Sequence, residues 1–187
     1  MNNEMLTIVD ELNQPIYEAH RNLAIKDALW RRAAGGIVYD PFLAKILCHK
    51  RSKTKDERPD FWVATFGGKV GANESVFHAA SRELFEEFGI IQKDIFCIFF
   101  GLEKSIKRKQ FEYIFIILVD STKIQINPDI NEVSETHWID SSKCIKRLKS
   151  SSHWYAYGYE ANAIRLLRKA RKPYKEKKRI PIKHQDH

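Results

Sequence analysis

Hydrophobic residues recur along this chain with a period of two in some stretches and of three to four in others, and the switches between periods lay out its elements. Residues 7–12 and 15–21 read as two short strands with Asn13-Gln14 at the turn, a small hairpin ahead of the core. Residues 22–30 suit a helix. Apolar runs at 33–39 and 45–50 predict strands joined across Asp40-Pro41. Residues 51–60 are charged, carry Pro59 and form a loop, and residues 61–66 make a short strand that feeds Gly67-Gly68. After a helical stretch at 75–88 come two apolar strands, 95–102 and 111–119. The basic loop between them, residues 104–109, is a solvated hairpin tip or, alternatively, a contact for a phosphate. Residues 131–138 alternate as a strand leading into a helix at 141–148. The final helix is expected over 153–172, with Ala161, Ile164, Leu166 and Leu167 on its apolar side and Pro173 and Pro181 breaking the chain beyond it. There is no internal repeat.

The helix at 75–88 carries the chemistry. At about 100° per residue, Phe77, Ala80, Leu84 and Phe88 fall on one arc and predict its buried side. Glu83, Glu86 and Glu87 fall on a neighbouring arc, because positions i, i+3 and i+4 share a face. Carboxylates crowded in this way repel one another unless something positive sits among them. Arg82 is adjacent to Glu83 and four residues before Glu86, so it can neutralise and orient the cluster. Gly89 stands where a left-handed helix stop is expected, and Gly67-Gly68 let the backbone turn closely around a bound group. Hard oxygen donors at this density suit Mg²⁺ or Mn²⁺ rather than zinc, and Mg²⁺ prefers to bridge carboxylates and a substrate phosphate. An acidic cluster alone is more commonly a solvated helix face; the full spacing, with glycine at both ends, is what changes the balance.

A chain of 187 residues fits one domain with a real core. No apolar run approaches the roughly 20 residues needed to span a bilayer, and the N-terminal residues do not have the pattern of a signal peptide. Three widely spaced cysteines, Cys48, Cys97 and Cys144, argue against a zinc site or a disulfide framework, and Cys48 and Cys97 read as reduced core residues. A cytoplasmic setting is the simplest expectation. The net charge of +8 is concentrated: residues 165–187 hold ten Lys or Arg and two acidic residues, while the rest balances. Such an end can bind nucleic acid. A solvated helix end and disordered terminus are the commoner outcome, and with Tyr174 as its one aromatic the segment lacks a stacking platform. The expected division is 1–30 as hairpin and lead-in, 31–172 as the main domain and 173–187 as the basic tail. Oligomeric state stays open, a homodimer among the options.

The stretch 68–90 resembles the signature of the Nudix superfamily, G-x5-E-x7-R-E-U-x-E-E-x-G-U with U bulky and apolar. Gly68, Glu74, Arg82, Glu83, Leu84, Glu86, Glu87, Gly89 and Ile90 meet every specified position. The resemblance implies an α/β/α sandwich around a mixed β-sheet and hydrolysis of a nucleoside diphosphate linked to another moiety, with Mg²⁺ or Mn²⁺. It implies Glu83, Glu86 and Glu87 as metal ligands, Arg82 as the group orienting them, and Glu74 as a structural partner. Residues 4–165 look similar to the branch that contains isopentenyl-diphosphate isomerase, which implies Arg51 and Lys55 as diphosphate contacts. That isomerase has a catalytic cysteine where this chain has Gly67, and metal-binding histidines where it has Lys69 and Arg32. A pyrophosphohydrolase is therefore expected, with the isomerase or an RNA 5′-end pyrophosphohydrolase as alternatives. The general base is one of the signature glutamates or an acid outside them. Glu132, in N-E-V-S-E-T-H-W, and Glu112, in a Phe-Glu-Tyr strand, are the outside candidates.

Overall fold

The computed structural model describes residues 4–55, 57–91 and 95–176, without the side chains of 171–176. Residues 177–187, most of the expected tail, lie outside the described residues.

Among the described residues nine strands form one open mixed sheet. The hub is β3 (Arg31–Asp40), which runs parallel to β8 (Gln110–Leu118) along its whole length and antiparallel to β6 (Phe66–Lys69) and β4 (Lys45–Arg51). The sheet grows beyond β4 through β9 (Val133–Asp140) and β5 (Trp62–Val63), and beyond β8 through β7 (Phe96–Ser105). The hairpin β1 (Met5–Val9) and β2 (Pro15–His20) joins the same sheet by pairing Ile8 with Arg31.

Strand alternation gives β3 and β8 two apolar faces, each needing a cover. Ala34, Val38, Phe115 and Ile117 pack with Ala80, Leu84 and Phe88 of α2 (Val76–Phe88). Ile37, Tyr39, Ile114 and Ile116 pack with Cys144 and Ile145 of α3 (Ser141–Ser150) and Ala163 and Ile164 of α4 (Glu160–Glu176). The result is the expected helix–sheet–helix layering. Cys48 and Cys144, distant in sequence, meet in the second core with their sulfurs 3.7 Å apart.

Four expectations change. The helix at 22–30 is only the short α1 (Arg21–Lys26), which ends before Ala28 at φ +48°. The strand at 61–66 splits, because β5 pairs with β4 whereas β6 crosses to β3. The last helix starts at Glu160 and not at His153, because the backbone before it serves β5: Trp62 N–H donates to His153 O and Tyr155 N–H to Trp62 O. The Glu160 carboxylate then accepts from the amides of Tyr157 and Gly158 and closes the turn into α4, whose assigned span includes Pro173. Finally, Cys97 is only half-buried, because β7 is an edge strand with Phe96, Ile98 and Phe99 exposed.

Candidate active site

Helix α2 is built to hold its position. The Ser75 hydroxyl caps its N-terminus by accepting from His78 N–H, and Gly89 closes its C-terminus at φ +68°, where a side chain would meet Asn127 O at 2.6 Å. The apolar stripe seats the helix on β3 and β6, and the loop after β6 wraps back along the carboxylate stripe.

The three candidate ligands sit in three environments. Glu86 is exposed, Glu83 is half-buried, and Glu87 is buried against His49 and the Gly67 amide. Arg82 is the organiser. Its NH1 donates to Glu83 at 2.7 Å and Glu86 at 3.1 Å, its Nε and NH2 donate to Glu74, and NH2 also reaches Lys69 O. Glu74 also accepts from Gly71 N–H, so it ties the loop to the helix. Gly68 is required by contact, since a Cβ there would stand 2.0 Å from Glu83 Oε1.

The electrostatics follow from burial. Burial pushes Glu87 well above the ordinary carboxylate range, and the nearby Glu83 adds to this. Burial also raises Glu83, although Arg82 opposes it. Burial acts upward on Glu74 too, but the hydrogen bonds from Arg82 and Gly71 overcome it and leave its pKa lowered. Facing Glu87 at 3.6 Å, His49 is pushed down to about 3 by burial and by Arg51 and Lys55, so it stays neutral.

All the candidate residues line one cavity of about 1210 Å³. Arg51 comes to it from the end of β4, Lys55 from the loop that follows and Glu132 from the turn before β9, and Lys55 is ion-paired with Glu132. Glu112 lies on β8 in the same cavity, bonded to Arg108 at 2.6 Å. Arg32 is not among the lining residues: its guanidinium donates to Asn13 on the opposite face, and its neighbour Arg31 takes the cavity side. The basic loop is partly lining as well, through Lys107 and Arg108. Arg31, Gln110 and Tyr157 were invisible in the sequence as site residues. What could have flagged the first two is the strand alternation that puts 31 with 33, and 110 with 112, on one face.

Whether these residues could hold a divalent cation can be tested on the donor set. The donors are carboxylate oxygens, and Glu87 Oε2 is buried without a hydrogen-bond partner. Both suit a hard cation. Among the described residues no three acidic or histidine side chains already converge as a metal-binding group. Glu83 Oε1 and Glu86 Oε2 both accept from Arg82 NH1, which leaves the second oxygen of each carboxylate for a cation.

Residues 29–163 match the NUDIX domain. An 87-residue segment is 40% identical to the uncharacterized Nudix hydrolase YfcD of Escherichia coli K12, covering 46% of this chain and 48% of that protein. The match thus spans about half the length of each. In fold, the crystal structure of DR0079 from Deinococcus radiodurans is similar with a TM-score of 0.72 at 19% identity, covering 88% of this chain and 99% of that one. An Ap4A hydrolase of C. elegans is similar with a TM-score of 0.52 at 18% identity, over 77% of this chain and 98% of that one.

Proposed function

The chain belongs to the NUDIX domain family, and on that premise we propose that it is a Mg²⁺- or Mn²⁺-dependent pyrophosphohydrolase of a small-molecule diphosphate. The observation that carries the reading is that the signature's Gly68, Glu74, Arg82, Glu83, Glu86 and Glu87 all line one cavity, with Glu83 and Glu87 desolvated and Arg82 bridging Glu83 and Glu86. Glu83, Glu86 and Glu87 would hold the cation, which when bound supplies neutralisation of the leaving phosphate and a more acidic water. Arg51 and Lys55 bind non-bridging oxygens of the diphosphate. Arg82 holds the carboxylates in register, and Gly68 leaves room for Glu83. Glu132, across the cavity from the helix, takes the proton of the attacking water once Lys55 turns from it to the substrate. The half-buried setting of the site limits competing bulk water, which strengthens each of these interactions.

The likeness to the isomerase branch is part of the same proposal, with hydrolysis and not isomerisation as the outcome. Isomerisation needs an acid–base pair at the reacting carbons. Gly67 offers no side chain there, and Lys69 is engaged with Gln110. The test is turnover of a panel of nucleotide sugars, dinucleotides and nucleoside triphosphates with Mg²⁺ and Mn²⁺, read as product release. Glu86→Gln is expected to cost at least about a hundredfold in kcat. Equal turnover by this variant would overturn the assignment, and interconversion of isoprenoid diphosphate isomers by the pure protein would replace it.

A further inference from the structure

Nine cations and eight carboxylates line the cavity. Beyond the signature carboxylates one group of them is basic: Arg31, Arg21 and Arg108 all act on Lys69, with Glu57 as the countercharge. A substrate that reaches this second end needs an anion there as well as a diphosphate beside the signature.

Sheet register builds this second end. Ala33 of β3 is paired on one side with Lys69 of β6 and on the other with Glu112 of β8, and two residues back Arg31 is paired with Gln110. Directly paired residues share a face, so Lys69, Arg31, Gln110 and Glu112 rise together around the small Ala33 side chain. The cations there have donors to spare. Lys69 Nζ bonds Gln110 Oε1 at 2.8 Å. Arg31 is 6% exposed, gives NH1 to the carbonyls of Leu29 and Ala24, and has Nε buried without a partner. Arg108 spends NH2 on Glu112 and lies over the Tyr157 ring, 4.9 Å from its centroid. Burial pushes the Lys69 ammonium down to about 8, and Arg31 pushes in the same direction, so the two cations repel across the hollow. Buried like charges with open donors are costly until an anion enters between them.

We infer that Arg31, Lys69 and Arg108 form a second anion subsite that takes a phosphoryl group, so that the preferred substrate is a diphosphate carrying a further phosphate at its far end. A dianion with three acceptor oxygens matches one ammonium and two guanidinium groups better than a carboxylate does. The substrate class rests on the hydrolase reading above; the subsite itself does not, and the experiment separates the two.

Inorganic phosphate is titrated into the metal-free protein by calorimetry, with acetate as the control anion. Lys69→Met and Arg108→Met are each expected to weaken phosphate binding about tenfold or more, because a charge-assisted hydrogen bond is lost. Glu86→Gln is expected to leave it unchanged. Arg108 is partly exposed, so its variant keeps the fold even if the change at buried Lys69 does not. In turnover, Lys69→Met is expected to raise KM about tenfold for a dinucleotide with an extra ribose phosphate and to leave KM for the same dinucleotide without it within about twofold. Unchanged phosphate affinity in both variants would overturn the subsite, as would acetate binding as tightly as phosphate. Lys69-dependent phosphate binding in a protein that hydrolyses no diphosphate would keep the subsite and remove the hydrolase.

Discussion

Lys69 shows how much one position can decide. The same strand end that would carry a metal ligand in an isomerase carries here a lysine walled in by Arg31, Gln110 and Glu112, with Glu57, Arg21 and Arg108 also acting on it. Its pKa is about 8 in the folded protein against 10.5 in the open chain. The folded protein therefore binds fewer protons between these values, and by linkage this group makes folding more favourable as pH rises through that window. Anion binding runs the other way. A phosphate ester is already fully ionised above about pH 7, so above pH 8 only the lysine changes. Phosphate affinity should fall toward a limiting slope of roughly tenfold per pH unit above about 8. In Lys69→Met that slope should be absent, and a wild-type affinity that stays flat to pH 10 would mean that Lys69 does not face the anion.

At the scale of the element, α2 separates stability from activity. Ser75→Ala removes the cap on His78 N–H and should cost about 1 kcal/mol, a fall in Tm of roughly 2–4 °C, with kcat nearly unchanged. Gly68→Ala should do the reverse. The added methyl meets only the far end of the Glu83 side chain, so the backbone can stay while the carboxylate must move. A displacement of about 1 Å in a catalytic group can cost on the order of a hundredfold in turnover. Thermal unfolding and kcat measured on both variants check the pair. The contrast also marks what the sequence could reveal. Helix α2, its Gly89 stop and its carboxylate spacing are local, and a 3.6-residue period exposes them. The sheet strands were legible as apolar runs, and the hairpins of β1 with β2 and of β7 with β8 as local pairs, but not the pairing of strands distant in sequence. Without the parallel register of β3 and β8, nothing connects Arg31 to Gln110 or Ala33 to Glu112, and the basic end of the cavity stays hidden. The segment before α4 was misjudged because its backbone bonds go to β5, a non-local demand that overrides helical pattern.

For the whole molecule the question is whether the cavity or the chain end governs attraction of an anionic substrate. The cavity is nearly neutral in sum, nine cations against eight carboxylates, yet Arg21, Arg31 and Arg108 gather about Lys69. The excess of +8 lies within residues 165–187. Charges farther apart than about 8–10 Å are largely screened at physiological salt. A site whose own ends do the recognising should therefore be insensitive to charge supplied from elsewhere. Deleting residues 177–187 removes four basic residues and one acidic one. KM for a small diphosphate should stay within about twofold of the full chain at roughly 150 mM salt, and any difference should appear only well below that. Association with RNA is the discriminating measurement. If the end serves a polyanion, the full chain should bind single-stranded RNA with a steep dependence on salt, and the shortened chain should lose much of that slope. If KM for the small diphosphate rises as far as the RNA affinity falls, the basic end and the cavity work on one substrate. If only the RNA term moves, hydrolysis belongs to the cavity alone.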